Sequence, residues 1–249
     1  MKSECVHCGD VFRRQYRKHV YCSIRCSNRA HLNHKNDVTL PARFSADLAE
    51  LFGIILGDGS VAEYFVTIYL NFKVEKEYAL FVARLAKKLF VGATVTVREQ
   101  PHRGTVTVQI SSVDVCRYLL SIGFDPKVRN IPTWIEKNKK YSIAVVRGLF
   151  DTEGTVGVKY YQGKRGKTFY NQLTVTNINQ HILSFIERTL TDRGYKPTKR
   201  SLKNIYISNR LDIKRYLEDI GSHNPKMIQK LRVKEKNGFV YGGLRRVQG

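Results

Sequence analysis

The spacing of hydrophobic and polar positions changes repeatedly along the chain, and the changes mark helices and strands in turn. Residues 46–57 are apolar almost throughout and predict a buried helix, whereas residues 66–73 alternate strictly and predict a strand. Helical spacing returns over 75–90, and two alternating stretches then predict strands at 93–100 and 104–111 and a helix at 113–122. A similar order follows further along, with helices predicted at 141–152, 179–192 and 210–220 and strands at 155–162, 168–176 and 197–208.

Short sequences also recur at nearly the same offset. RYLLSIG at 117–123 resembles RYLEDIG at 215–221, each is followed by Pro-Lys, and LFGIILGDGS at 51–60 aligns with VVRGLFDTEGT at 145–155. Three landmarks in the same order indicate a duplicated unit. We therefore predict an α+β fold of two pseudosymmetric αββαββα repeats, at 45–140 and 141–249, the second including a basic C-terminal tail.

The first 30 residues hold four of the five cysteines, spaced C-x2-C-x13-C-x3-C: Cys5, Cys8, Cys22 and Cys26. Two thiolate pairs at this spacing suit tetrahedral zinc, and a pair of disulfides in an extracellular module is the alternative. His7 and His19 are candidate substitute ligands. The sequence therefore predicts a small zinc module over 1–30 and a basic linker over 31–44. The module resembles the four-cysteine fingers, ending in a YCSxxC knuckle, that are attached to phage and mobile-element nucleases.

The charge of the chain points to a polyanionic partner. Lys and Arg number 43 against 21 Asp and Glu, giving a net charge of +22, while 42% hydrophobic residues are typical of a folded protein. The sequence has no apolar run long enough to span a bilayer, and its start is too polar for a signal peptide, so we expect an intracellular protein with no membrane partner. Basic residues between the cysteine pairs are predicted to contact phosphates: Arg13, Arg14, Arg17 and Lys18.

The polar faces of the predicted strands contain almost no acid. Thr, Tyr, Asn, Gln, Lys and Arg can hydrogen-bond base edges, and a curved β-ribbon fits the major groove, although Thr is also simply a good strand former. We predict that the sheets form a saddle on double-stranded DNA, contacted by Thr67, Tyr69, Asn71, Lys73, Thr94, Thr96, Arg98, Gln100, Thr105, Thr107, Gln109, Lys159, Tyr161, Gln172, Thr174 and Thr176.

Two acids, Asp58 and Glu153, occupy equivalent ends of the two apolar helices. Each precedes a glycine, Gly59 or Gly154, that suits a left-handed C-terminal cap. A helix C-terminus has partial negative charge and disfavours a carboxylate unless a cation lies beside it, so the pair suggests a shared metal such as Mg²⁺ at a phosphodiester. Small residues would let the two helices pack closely and bring both acids together: Gly53, Gly57, Gly148 and Thr152.

These segments, LFGIILGDG and VRGLFDTEG, resemble the two LAGLIDADG motifs of a single-chain homing endonuclease. The resemblance implies a monomer that uses Mg²⁺ or Mn²⁺ to cut both strands of a long DNA site, leaving 3′ overhangs. It implies that Asp58 and Glu153 bind the metal, with the adjacent Gly57 and Thr152 in the same site. It also implies a basic or amide residue near the cleavage water, for which Lys73 and Asn177 are candidates.

Three other functions fit the same residues. A maturase that binds its own intron RNA keeps both motifs, and a DNA-binding regulator uses the scaffold without cleavage. A zinc-dependent nucleic-acid chaperone would use the acids only structurally. Because both Asp58 and Glu153 are retained, the sequence favours cleavage.

Overall fold

The computed structural model describes residues 2–32, 37–163, 166–236 and 245–246, and the chain divides into two compact units, Met1–Val38 and Thr39–Gly249. The first unit contains an antiparallel hairpin of β1 (Lys2–Glu4) and β2 (Val11–Arg13), followed by helix α1 (Ile24–Leu32). Within the described ranges no helix is both long and apolar enough to cross a membrane.

The second unit begins with one αββαββα repeat. Its elements are α2 (Ala46–Asp58), β3 (Gly59–Val61), β4 (Phe65–Asn71), α3 (Lys76–Leu89), β5 (Thr94–Gln100), β6 (Thr105–Ser111) and α4 (Val113–Ser121). The four strands form an antiparallel sheet in the order β3-β4-β6-β5. The register aligns Ile68 with Val108 and Leu70 with Val106, so the apolar positions of β4 and β6 share one buried face.

A second repeat follows a short helix, α5 (Thr133–Glu136). Its elements are α6 (Lys139–Glu153), β7 (Gly154–Gly163), β8 (Gly166–Thr176), α7 (Gln180–Thr191), β9 (Thr198–Ser201), β10 (Asn204–Ile207) and α8 (Arg210–Asp219). The sheet order β7-β8-β10-β9 matches the first repeat. Beyond the repeat lie α9 (Pro225–Lys236) and β11 (Arg245–Arg246), which pairs with β8.

Helices α2 and α6 pack against each other at the centre of this unit, where small residues allow close approach. A Cβ atom on Gly53 would lie 2.5 Å from the carbonyl oxygen of Val145, and one on Gly148 would lie 2.5 Å from that of Glu50. Only hydrogen fits at these positions, so the two backbones are in contact. The apolar sequence of α2 follows from this central place, because helices buried on all sides need no polar face.

The predicted fold class, α+β with two αββαββα repeats and antiparallel sheets, is confirmed. Several elements of the described residues have no counterpart among the predicted ones. They include β3, α5 and β11, which are too short to show a period, and the helices α1 and α9. The predicted linker also differs from the observed packing. Residues 39–44 belong to the second unit, where Thr39 pairs with Val91 and the Phe44 ring stacks on Trp134 at 4.2 Å.

Candidate active site and nucleic-acid interface

Asp58 and Glu153 are the last residues of α2 and α6, and a glycine follows each. The N–H of Gly59 donates to the carbonyl of Ile55, and that of Gly154 donates to the carbonyl of Phe150. The expectation of left-handed caps is wrong, because φ is −105° at Gly59 and −85° at Gly154 and both residues begin strands. Glycine is needed for space instead: a Cβ on Gly59 would lie 2.6 Å from the Cα of Ile55.

The packing of α2 and α6 brings the two acids into one region. A Cβ on Gly57 would overlap the Thr152 side chain and lie 3.3 Å from the Cγ of Glu153. Burial is the largest influence on Asp58 and raises the pKa of its carboxyl group, and the charge of Glu153 raises the pKa further, to about 7. Burial likewise raises the pKa of Glu153. The two carboxylates are therefore partly desolvated and repel each other, an arrangement that favours a bound cation.

Arg129, which no pattern in the sequence singles out, binds the end of α2. Its Nη1 donates to the carbonyl of Leu56 at 2.9 Å and its Nη2 to that of Gly59 at 2.9 Å. The guanidinium charge lowers the pKa of both Asp58 and Glu153. Its backbone has φ of 52°, the left-handed region that is uncommon for a non-glycine residue, which is consistent with a functional position.

A buried acid, Glu75, adds a third negative charge near Asp58 and raises the pKa of that carboxyl group. Glu75 accepts hydrogen bonds from the backbone N–H of Asn71 at 2.8 Å, from Nδ2 of Asn224 at 3.0 Å and from Nζ of Lys226 at 2.8 Å. Lys226 in turn lowers the pKa of Asp58. It is the lysine of the repeated Pro-Lys pair, so the recurrence of that pair was the sequence signal that marked it.

Asn177 and Lys73, the two residues predicted to lie near the cleavage water, have different surroundings. Nδ2 of Asn177 is 3.5 Å from Oε1 of Glu153, which places this amide beside the acid. Lys73 has an exposed side chain, and its backbone N–H donates to Oδ1 of Asn71 at 2.9 Å. The catalytic role of Lys73 stays a prediction.

Comparison with known proteins agrees with this architecture. Residues 140–221 match the model of the LAGLIDADG-like domain, and no curated protein matches the chain. Similar solved structures include I-DmoI in complex with DNA and Ca, at a TM-score of 0.50 and 17% identity over 76% of this chain and 97% of that chain. The second unit has the LAGLIDADG fold.

Two further structures with this fold differ in what their names describe. The LAGLIDADG meganuclease I-AabMI bound to uncleaved DNA has a TM-score of 0.51 and 12% identity over 80% of this chain and 94% of that chain. Full-length DUF199/WhiA from Thermatoga maritima has a TM-score of 0.51 and 16% identity over 84% of this chain and 64% of that chain. At these identities the comparison establishes the LAGLIDADG fold and leaves the activity open.

In the first LAGLIDADG repeat, the predicted DNA-contacting residues form rows across the sheet. The register aligns them as Thr67-Gln109-Thr96, Tyr69-Thr107-Arg98 and Asn71-Thr105-Gln100, and Thr94 lies opposite Ser111. Tyr69 and Arg98 are exposed, whereas Thr67 and Thr107 on the two central strands are buried. Among these residues the exposed side chains, and so the ones most accessible to a groove, are Tyr69, Asn71, Thr94 and Arg98.

In the second LAGLIDADG repeat, Thr174 of β8 lies between Thr155 of β7 and Tyr206 of β10. Tyr206 is not among the predicted contacts, because β10 spans only four residues and is too short to show a clear alternation. Of the remaining predicted contacts, Lys159 and Thr176 are exposed and Gln172 is buried, with its Nε2 donating to Ser208 at 2.8 Å. The side chain of Tyr161 lies outside the described residues.

A second buried cluster holds the segment after α8 against the LAGLIDADG helices. Asp151 accepts hydrogen bonds from Oγ of Ser222 at 2.5 Å and from the backbone N–H of His223 at 2.8 Å, and burial chiefly raises the pKa of its carboxyl group to about 7. Glu50 of α2 pairs with Arg147 of α6 at 2.6 Å and with the His223 ring at 2.5 Å. Every carboxylate oxygen of this cluster has a partner from the chain, so these contacts hold the segment in place.

In the first unit, the four predicted zinc ligands converge. The Sγ atoms of Cys8, Cys22 and Cys26 are 3.5 to 3.6 Å apart, and all four sulfur atoms, including that of Cys5, lie within 4.8 Å of one another. Tetrahedral zinc with bonds of about 2.3 Å needs sulfur atoms about 3.8 Å apart, so the donor set fits Zn²⁺. His19 has another role, because its ring stacks on Tyr16 at 4.9 Å, and among the described residues His7 is not part of the cluster.

The four basic residues predicted to contact phosphates lie at the end of β2 and directly after it. Arg13, Arg17 and Lys18 are exposed, and Arg14 is half-buried. Their placement leaves three cations accessible to phosphate, and their contact with DNA stays a prediction.

Proposed function

We propose that the chain is a site-specific homing endonuclease that makes a metal-dependent, staggered double-strand break with 3′ overhangs in a long DNA target. The proposal rests chiefly on one observation: Asp58 and Glu153, at equivalent helix ends, are brought together and partly desolvated, and burial raises the pKa of both. Two carboxylates buried side by side lower the stability of the fold unless a cation lies beside them. The DNA complexes of I-DmoI and I-AabMI support DNA as the partner.

The residues present suit a hard divalent cation. Mg²⁺ or Mn²⁺ prefers carboxylate and carbonyl oxygens, and the site offers Asp58 and Glu153 with the adjoining Gly57 and Thr152. Bound there, the cation would polarise the phosphodiester and lower the pKa of a water molecule. The net charge of +22 attracts the DNA backbone, and the polar rows of the two sheets would select the base pairs.

Three neighbouring side chains would tune the site. The Arg129 guanidinium binds the carbonyls of Leu56 and Gly59, so it fixes the end of α2 and partly neutralises both acids. The amide of Asn177 lies 3.5 Å from Glu153 and could orient a water molecule there. Lys226, paired with Glu75, supplies a counter-charge on the Asp58 side.

The test is cleavage of a randomised double-stranded DNA library, with Mg²⁺ or with EDTA, by the wild-type chain and by the Asp58→Asn, Glu153→Gln double variant. We expect one long site to be cut on both strands only by the wild type with metal. Tight, selective binding without cutting under any metal condition would refute the nuclease.

A non-cleaving DNA-binding regulator is the second candidate, because the fold is shared with DUF199/WhiA at a TM-score of 0.51. In that case the double variant and the wild type would bind the same site equally and neither would cut. A maturase would instead bind its own intron RNA and promote splicing, which a splicing assay with the same double variant distinguishes from DNA cleavage.

A further inference from the structure

Helix α1 is held in the first unit by the metal-ligand set. Cys22 precedes it and Cys26 lies within its first turn, and Oγ of Ser23 accepts a hydrogen bond from the backbone N–H of Cys26 at 3.2 Å. A capping serine at this position is typical of a helix start. Two of the four thiolates therefore fix the position and orientation of α1 within its unit.

One face of α1 points away from the thiolate cluster. Cys26, Ser27 and Ala30 are half-buried, whereas four residues are exposed: Ile24, Arg25, Asn28 and Arg29. At 3.6 residues per turn, residues 24 and 28 lie one above the other, and residues 25 and 29 form the adjacent row. The exposed residues therefore form one continuous face, which we call the α1 face.

The α1 face combines positive charge, an amide and an exposed apolar side chain. It contains two arginines, an asparagine and no acid, and Ile24 is 81% exposed. Arginine pairs with guanine, asparagine pairs with adenine, and an aliphatic side chain contacts the thymine methyl group. Phosphate binding alone would use the arginines and would leave Ile24 without a partner.

We propose that the α1 face enters the major groove of double-stranded DNA and selects base pairs beside the site that the sheets bind. This inference rests on the proposed DNA-binding function and adds a second recognition element to it. An α-helix fits the width of the major groove. The first unit also has eight Lys and Arg against three Asp and Glu, so its charge is complementary to DNA.

The hairpin of the same unit would then have a different task. Arg13, Arg17 and Lys18 are exposed and lie outside α1, where they are suited to phosphate contacts that set the position of the helix. Phosphate contacts fix register and orientation, and base contacts determine sequence preference. Variants of the hairpin and of the α1 face should therefore have separable effects.

The test uses the full chain with Asp58→Asn and Glu153→Gln, so that binding is measured without cleavage. This protein selects sites from a library of random duplexes, and the selection is repeated with Arg25→Ala or Asn28→Ala added. We expect a short preferred sequence at one flank of the main site, and each added variant should reduce the preference at one flanking base pair about tenfold. The control, Arg17→Ala, should weaken binding to all sequences and leave the preferences unchanged.

Other outcomes overturn the inference. A main site with no flanking preference, or a flanking preference that Arg25→Ala and Asn28→Ala leave intact, would show that the α1 face does not select bases. If the same variants instead change the sedimentation of the chain from dimer to monomer, the face binds a second copy. Zinc content measured on each variant shows that the first unit is still folded.

The same experiment separates this inference from the proposed function. If the chain with Asp58 and Glu153 intact cleaves a site that has no flanking preference, the proposed endonuclease stands. Only the proposed role of the α1 face is then refuted. The opposite result has two parts: Arg25→Ala and Asn28→Ala remove a flanking preference, and the chain with Asp58 and Glu153 intact does not cleave. This result would support base selection by the α1 face and refute the endonuclease.

Discussion

Replacing Asp58 by asparagine should stabilise the second unit at neutral and alkaline pH. Burial at the end of α2, together with the charges of Glu153 and Glu75, raises the pKa of Asp58 from 3.8 to about 7. The folded chain therefore binds this proton more tightly than the unfolded chain does. Below pH 4 the carboxyl group is neutral in both states and Asp58 does not lower the free energy of unfolding. As the pH rises towards 7, the unfolded chain loses the proton first, so the free energy of unfolding falls and then stays lower above pH 7.

The size of the effect follows from the same pKa values. A tenfold difference in proton affinity is worth about 1.4 kcal/mol, so the full difference between 3.8 and about 7 corresponds to an upper limit of about 4 kcal/mol. Relaxation and water access reduce such buried-charge costs, and we expect Asp58→Asn to raise the free energy of unfolding by about 2 kcal/mol at pH 8. The gain should vanish near pH 4, where the wild-type carboxyl group is neutral in the folded chain.

The assay is urea unfolding followed by circular dichroism in EDTA, at pH 4.5 and pH 8, for wild type and Asp58→Asn. Glu63→Gln is the matched control, because Glu63 is exposed in the turn between β3 and β4 and should change little at either pH. A gain of equal size at both pH values, or a loss of stability at pH 8, would refute the reasoning that desolvation and like charges dominate this site. When the EDTA is replaced by Mg²⁺, we expect the free energy of unfolding to rise for the wild type and not for Asp58→Asn.

Four further outcomes are expected. Gly53→Ala should destabilise the fold by roughly 1 to 3 kcal/mol in urea unfolding, because the new Cβ meets the Val145 carbonyl, whereas Gly157→Ala, with no atom within 4 Å of its Cβ, should not. Arg129→Ala should move the rising limb of the cleavage rate to higher pH, because the guanidinium lowers the pKa of both acids; an unchanged profile contradicts this. Cys22→Ser should abolish binding of one zinc per chain, measured by metal analysis, and normal zinc content would count against the site. Arg98→Ala should relax discrimination at one or two base pairs by roughly 1 to 3 kcal/mol in a cleavage profile, and an unaltered profile would remove Arg98 from the recognition surface.

The internal repeat made most of the architecture predictable. It placed α2 and α6 in equivalent positions and so identified Asp58 and Glu153 without any three-dimensional information. Strand alternation likewise predicted which residues of β4 and β6 share a face, because side chains alternate with a period of two.

The surroundings of the acids were not predictable in the same way. Arg129 reaches Leu56 across 73 residues, and no local pattern encodes this contact. The repeated Pro-Lys pair marks Lys226 in the sequence but does not indicate its contact with Glu75 across 151 residues. The constraint on Gly59 likewise depends on tertiary structure. A glycine after a helix suggests a left-handed cap, whereas the actual constraint is the proximity of Ile55, which depends on how the chain turns into β3.

The contact between α2 and α6 at Gly53 and Gly148 also bears on how such a protein can change during evolution. Main-chain atoms in contact at Gly53 and Gly148 set the spacing between the two helices that end in the acids. For a nuclease, that spacing would fix the stagger of the cut. Substitutions on the sheets could then alter the recognised sequence step by step, while the length of the overhang stays constant from one generation of variants to the next.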